Sequence, residues 1–322
     1  MADPSHAETG DTPHSAVTRD FPTVLRVLVE MSRPDQLLLM GLLYATGTLA
    51  ALGGGATLDV PQVVTGFLLF LPVAVSVHYA NEYADYETDH LTTRTPFSGG
   101  SGALVRTGLP RGLALRAAVA ALAVAVVAVG VVAGFELGGG PALVPDAAAL
   151  GLLAVVAVLG WQYSLPPLAL AWRGWGELDN ALLGGVLLPV YAVAVAGEVT
   201  VGSVLAFLPF GCVVFVNLLA TTWPDREADA AVGKDTLATR LSTGRLRSLY
   251  AGGLLASGVS LAVFHAGPVP ALVCRASLLA TPLLVWGLVT YTRQRSPFPT
   301  VAGMIVFAGA QFVAWAAVGV GL

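Results

Sequence analysis

Asn81, Asp85 and Asp89 follow one another at intervals of four, within the run Asn-Glu-Tyr-Ala-Asp-Tyr-Glu-Thr-Asp. On an α-helix that interval sets three oxygen-bearing side chains along one face. Carboxylate and amide oxygens are hard donors and suit a hard cation such as Mg²⁺. The pattern returns 140 positions later, where Thr221, Asp225 and Asp229 match Asn81, Asp85 and Asp89, Glu227 matches Glu87, and Trp223 matches Tyr83. A cation follows each third ligand by five residues, Arg94 after Asp89 and Lys234 after Asp229. The repeat implies two metal-binding stripes that face each other, each with a basic residue close by.

The second copy departs from the first at Thr221. A hydroxyl there can still ligate or position a water. Asn217, one further step of four upstream, either supplies the missing amide or serves as a hydrogen bond between helices. Pro224 is expected to kink this helix end and swing its side chains inward.

Stepping outward from these residues, the elements that position them belong to a membrane protein. Of 322 residues, 56% are hydrophobic and only 11% charged, against about 25% charged in soluble domains. The mean hydropathy is +0.76, and one soluble core could not hide that much apolar surface. The formal net charge of −4 gives no reason to expect a nucleic-acid partner. The two cysteines, Cys212 and Cys274, sit in apolar runs and read as small buried hydrophobes.

The apolar runs predict an all-α, polytopic bundle of nine transmembrane helices, at about 36–57, 61–80, 113–134, 147–164, 179–197, 201–222, 248–266, 270–291 and 299–320. Residues 1–22, polar and scattered with Pro, Ser, Thr, Asp and His, read as a disordered cytoplasmic tail that includes His6 and His14. Residues 23–322 read as one transmembrane domain. The connections after the first, third and fifth helices hold Asp59, Glu136, Asp146 and Glu198 but no Lys or Arg, whereas the other side gathers most of the cations. The positive-inside rule then puts the N-terminus in the cytoplasm, the C-terminus outside, and both acidic motifs on the cytoplasmic side.

Two further segments could contribute. The stretch Thr95-Pro-Phe-Ser-Gly-Gly-Ser-Gly102, with Arg106 and Arg111 after it, reads as a lid whose backbone N–H groups and arginines meet an anion. Tyr163-Ser-Leu-Pro-Pro, then Trp172-Arg-Gly-Trp-Gly-Glu177, ends a helix at its prolines. Trp172 and Trp175 read there as interfacial aromatics, and Arg173 and Glu177, four apart, as a pair.

With these residues in view, the chain resembles the UbiA superfamily of intramembrane prenyltransferases. The likeness rests on Asn81-Asp85-Asp89, on Asp225-Asp229, on the Tyr163–Glu177 segment, on Arg33-Pro34, and on Val232-Gly-Lys-Asp-Thr-Leu237, and covers nearly everything from residue 30 onward. The Gly-Lys-x-Thr-Leu run and the Phe-Ser-Gly-Gly-Ser-Gly loop look most like 1,4-dihydroxy-2-naphthoate polyprenyltransferases of menaquinone synthesis. The resemblance implies Mg²⁺-dependent transfer of a polyprenyl group from its diphosphate to an aromatic acceptor, in a lipid bilayer and with no protein partner. It implies Asp85, Asp225 and Tyr163 as catalytic residues, and Arg94, Lys234, Arg106 and Arg173 as binders of the diphosphate. Asn81, Asp85, Asp89, Asp225, Asp229, Thr221 and Asn217 would serve as metal ligands. Other acceptors stay open (4-hydroxybenzoate, an ether lipid, a tetrapyrrole or a carotenoid). So does an ion-coupled transporter, since intramembrane acids also mark ion paths.

Overall fold

The computed structural model describes residues 20–95, 97 and 99–321. The expected tail falls largely outside the described residues, as do His6 and His14. Its last positions do not: a helix, α1 (Phe21–Met31), starts inside it, buries Val27 and Met31, and exposes Phe21, Leu25 and Val29.

Among the described residues nine helical segments are long and apolar enough to cross a membrane, and the protein is an all-α polytopic membrane protein. The first is α2 (Pro34–Gly53), and the second is α3 (Val60–Ala84), which runs into the short α4 (Tyr86–Leu91). After the one-turn α5 (Ala103–Thr107) come α6 (Gly112–Leu137) and α7 (Ala147–Ser164). The fifth span joins α8 (Gly176–Leu182) to α9 (Leu188–Ala196) through a π-helical turn, Leu183–Leu187. The sixth is α10 (Val201–Thr222), carried on through a 3-10 turn, Trp223–Asp225, into α11 (Arg226–Ala231). The short α12 (Leu237–Arg240) precedes α13 (Thr243–Phe264), α14 (Ala271–Ser277), α15 (Thr281–Thr290) and α16 (Phe298–Gly319). The first span stops at Gly53, short of residue 57, because Gly54 and Gly55, the latter at φ +95, turn the chain.

The bundle orders itself by close backbone approach. α2 packs between α16 and α9, α3 against α6 and α7, and α10 against α13 and α8. At Gly47 an added Cβ would strike the Pro189 carbonyl, so only glycine lets α2 and α9 meet there. Outward faces are apolar instead: α6 exposes Val124, Val126, Val127, Val131 and Phe135, which lipid covers in a bilayer. The loop acids Asp59 and Asp146 are helix caps, accepting from the N–H groups of Gln62 and Ala149.

Each acidic motif rests on its own small apolar cluster. Met31, Tyr79, Ala80 and Leu104 back the first, and Leu219, Leu246, Tyr250 and Tyr291 back the second. Both motif helices break at the middle acid. Asp85 sits between α3 and α4 at φ −89, ψ 5, and Asp225 opens α11 at φ −92, ψ −6. The three ligands of a stripe therefore do not share one unbroken helix face, as the spacing alone suggests; the break lets each motif bend across the end of the bundle.

Candidate active site

The two motifs, 140 residues apart in sequence, meet through their loops. Lys234 Nζ lies 2.7 Å from Asp85 Oδ1 and 3.6 Å from Asp229 Oδ1, an ion-pair distance too long for a hydrogen bond. Burial would lower the lysine pKa, but Asp85 and Asp229 outweigh it and hold Lys234 charged, above its ordinary value. From the other direction, the Gly99 N–H donates to Asp225 Oδ2 at 3.1 Å. Each middle acid is thus held by the loop that follows the other motif. Asp229 is 2% exposed and Asp89 9%. Burial first, then the neighbouring Asp85 and Glu82 carboxylates, push Asp89 up to about 7.

Asn81 ties the first stripe together. In the amide orientation that satisfies both neighbours, its Nδ2 donates to Asp85 Oδ2 at 2.9 Å and its Oδ1 accepts from Arg33 Nη2 at 3.2 Å. Its counterpart Thr221 turns its hydroxyl back onto its own helix, donating to the Leu218 carbonyl at 3.3 Å. Asn217 is buried one turn below, and its Oδ1 has no hydrogen-bond partner among the described residues. Tyr163 joins Lys234, Glu177, Thr222 and Thr236 around a cavity of about 30 Å³, beside Gly176.

Arg106 pairs with Glu30 and donates to the Ser101 carbonyl at 3.0 Å. Arg94 is exposed and donates to the Gly100 carbonyl at 2.9 Å, fastening the loop where Gly100 lies against Asp89. Arg111 lies over the Tyr83 ring. Arg173 is exposed and does not pair with Glu177; Glu177 is buried and accepts from the Leu237 N–H at 3.1 Å. The Arg173 segment instead lies beside Asp235, whose N–H donates to the Trp172 carbonyl. Trp172 is more than an interfacial aromatic, because Lys234 Nζ stands 5.7 Å from its ring centre. Glu82 and Arg33 escaped the sequence reading as a pair. Glu82 is off the four-residue stripe, and its partner lies 49 positions away with no local signal to link them.

Among the described residues no three of His, Cys, Asp and Glu stand together as one metal site. Yet the donors fit a hard divalent ion in kind: Asp85, Asp89, Asp225 and Asp229 are carboxylates, and two of them, from opposite halves, already converge on a cation, Lys234 Nζ.

Among the described residues, nine apolar helical segments are long enough to cross a membrane, and two of them carry the paired acid stripes at their ends. The chain belongs to the UbiA prenyltransferase family, whose model matches residues 40–293, and it is a prenyltransferase of the kind that transfers polyprenyl groups. A digeranylgeranylglyceryl phosphate synthase of Thermococcus kodakarensis is 27% identical over 237 residues, 72% of this chain and 74% of that one. That relative is named for a glyceryl phosphate product, not for a naphthoate. The fold is also that of a UbiA homolog from Archaeoglobus fulgidus bound to GPP and Mg²⁺ (TM-score 0.60, 19% identity, 91% of this chain and 99% of that one). It is likewise that of an apo UbiA homolog from Aeropyrum pernix (TM-score 0.62, 14% identity, 87% and 96%).

Proposed function

We propose that this chain moves a polyprenyl group from its diphosphate to a hydroxylated aromatic acceptor, with Mg²⁺ held by Asp85, Asp89, Asp225 and Asp229. The convergence of Asp85 and Asp229 on one Lys234 ammonium carries the reading, since it puts acids from both halves at one place. When bound, Mg²⁺ supplies Lewis-acid stabilisation of charge on the leaving diphosphate. Lys234 adds a preorganised cation to the same task. Asn81 orients Asp85, and Asn217 offers the amide oxygen that the second stripe lacks. The allylic C–O bond breaks, an electron-rich carbon of the acceptor bonds to the prenyl carbon, and a proton leaves the acceptor, or carbon dioxide where that carbon bore a carboxyl. The Tyr163 ring, which lines the same cavity as Lys234, would stabilise the allylic cation, and the apolar bundle keeps water from quenching it.

The aromatic acceptor, of the 1,4-dihydroxy-2-naphthoate class, is supported by the Gly-Lys-x-Thr-Leu and Phe-Ser-Gly-Gly-Ser-Gly motifs. A glycerophosphate ether-lipid acceptor is the second reading, favoured by the relative from Thermococcus. The excess of Arg and Lys in the motif-side loops supports a cytoplasmic active site.

The deciding experiment incubates membranes holding the protein with labelled geranylgeranyl diphosphate, Mg²⁺ and a panel of acceptors, and weighs the lipid product. A prenylated naphthoquinone precursor is expected. A digeranylgeranyl glycerophosphate product moves the assignment to the second reading, and transfer to no acceptor, with this donor or with shorter and longer polyprenyl diphosphates in its place, overturns both.

A further inference from the structure

The loop between the first motif and α6 is held at almost every peptide from Gly99 to Ser101. The Gly99 N–H goes to Asp225 Oδ2. The Gly100 carbonyl accepts from Arg94, and the Ser101 carbonyl from Arg106. The Ser101 N–H donates to Glu82 Oε1 at 2.8 Å, and its hydroxyl to Glu82 Oε2 at 2.6 Å. Gly100 lies so near Asp89, at φ +59, that an added Cβ would collide with Asp89 Oδ2. The described part of this loop therefore touches a carboxylate of each motif.

What fixes it to the bundle is Glu82, 2% exposed. Arg33 grips the same carboxylate through Nη2 at 2.6 Å and Nε at 3.1 Å. Arg33 also reaches Asn81, and it does so from a left-handed backbone, φ 52 and ψ 69, which a non-glycine residue keeps only where its surroundings over-determine it. The second motif has no equivalent, since Thr222 stands where Glu82 would.

We infer that the Arg33–Glu82 pair is a positioning device for the reaction: it holds Asn81 on one side and, through Ser101, sets the Gly99–Gly100 backbone against Asp225 and Asp89, fixing both acid stripes in register. Glu82 itself touches none of the reacting groups. The carboxylate needs two N–H or O–H donors from the loop to complete the shell that Arg33 begins, and a serine whose backbone and side chain both donate supplies them from one residue. A glutamine at 82 would bring its own N–H group to a site built wholly from donors, so one contact must break.

This inference rests on the prenyltransferase reading for its kinetic arm only. The structural arm is hydrogen exchange of the full chain in nanodiscs, read at the amides of 99–103 and, as an internal control, at those of α3. Ser101→Ala and Glu82→Gln are each expected to speed exchange in the loop by about tenfold, as for loss of a charge-assisted hydrogen bond, and to leave α3 unchanged. Ser101→Thr, which keeps both donors, is expected to restore slow exchange. With labelled geranylgeranyl diphosphate, Ser101→Ala raises KM more than it lowers kcat. Loop exchange unchanged in Ser101→Ala overturns the inference. So does faster exchange spread through α3 in both variants, which would make Glu82 only a support of the bundle. Should no transferase activity be found in the parent protein, the exchange result still decides the inference, while the functional reading fails separately.

Discussion

The first motif breaks its helix at Asp85 and the second at Asp225 with almost the same backbone angles, yet the two acids are held by unlike partners. Asp85 faces a full positive charge, Lys234, brought by the loop after the second motif. Asp225 faces a neutral backbone N–H, Gly99, brought by the loop after the first. Upstream of Asp85 stand Asn81 and the Arg33-gripped Glu82, whereas Thr221 and Thr222 hold the matching places before Asp225. The ligand frame is duplicated and the surroundings are not. A repeated stripe suffices to hold cations at a diphosphate, while the single copies of Lys234 and of the Glu82 pair let the two ends of that site differ.

The largest expected effect tests whether the duplicated frame works as a unit. Asp85→Asn and Asp225→Asn should each lower prenyl transfer by about 10³-fold or more, in the range of losing a preorganised electrostatic group, with the protein still inserted in membranes. EDTA should stop the parent enzyme and Mg²⁺ restore it. Turnover near normal in either variant, or full activity after chelation, would show that the stripes do not share one metal-bound ligand.

A smaller effect probes the cation beside the first acid. Lys234→Met should cut kcat/KM by about 10²-fold, through loss of one cation at the developing anion. It should also leave Asp85 and Asp229 without their shared counter-charge, so the variant unfolds at a lower temperature than the parent in EDTA. Mg²⁺ should then raise its thermal midpoint by more than it raises that of the parent, because a ligand that binds only the folded state stabilises it. Equal gains in both proteins would mean that Lys234 and the metal do not answer to the same acids.

The acid pair of the first motif also predicts a pH dependence. Asp89 faces Asp85, Glu82, Arg33 and Lys234, and its folded pKa of about 7 lies above the 3.8 of an ordinary aspartate. Raised in the fold, it favours folding fully below about 4, and that contribution is lost as pH rises toward 7. In EDTA the thermal midpoint should therefore fall across this window, and Asp89→Asn should flatten the fall. A metal needs the ionised carboxylate, so less Mg²⁺ should be required for half-maximal activity as pH rises through 7. A flat midpoint in the parent would mean that Asp89 does not carry this shift.

The membrane spans and the paired stripes were legible because both depend on local composition and regular spacing. Apolar runs mark the spans within a few residues, and a four-residue interval marks Asp85, Asp89, Asp225 and Asp229. What escaped were contacts that depend on the bundle closing. Arg33 with Glu82, Lys234 with Asp85, and Gly99 with Asp225 join positions 49, 149 and 126 apart. The helix breaks were half visible: Pro224, directly before Asp225, signalled the second, but the residue directly before Asp85 is Ala84. The local i, i+4 spacing of Arg173 and Glu177 suggested a pair, but the structure leaves Arg173 exposed and turns Glu177 to the Leu237 N–H, while Arg106 meets Glu30, a contact 76 positions away.

The smallest expected effect tests the one position where the stripes differ in chemistry. Asn81 bridges Asp85 and Arg33, so Asn81→Ala removes two contacts and loosens the acid it orients; a loss of about tenfold in kcat/KM is expected, the scale of one hydrogen bond to a charged group. Thr221 gives its hydroxyl to Leu218 within its own helix, a bond that mildly weakens a helix rather than supporting a site. Thr221→Ala should therefore change kcat/KM by no more than about threefold and leave the thermal midpoint unchanged or slightly higher, since alanine is the better helix former. Measured side by side, the two variants show whether the second stripe uses its threonine. A Thr221→Ala loss as deep as that of Asn81→Ala would place Thr221 among the ligands and make the two halves alike in function as well as in spacing.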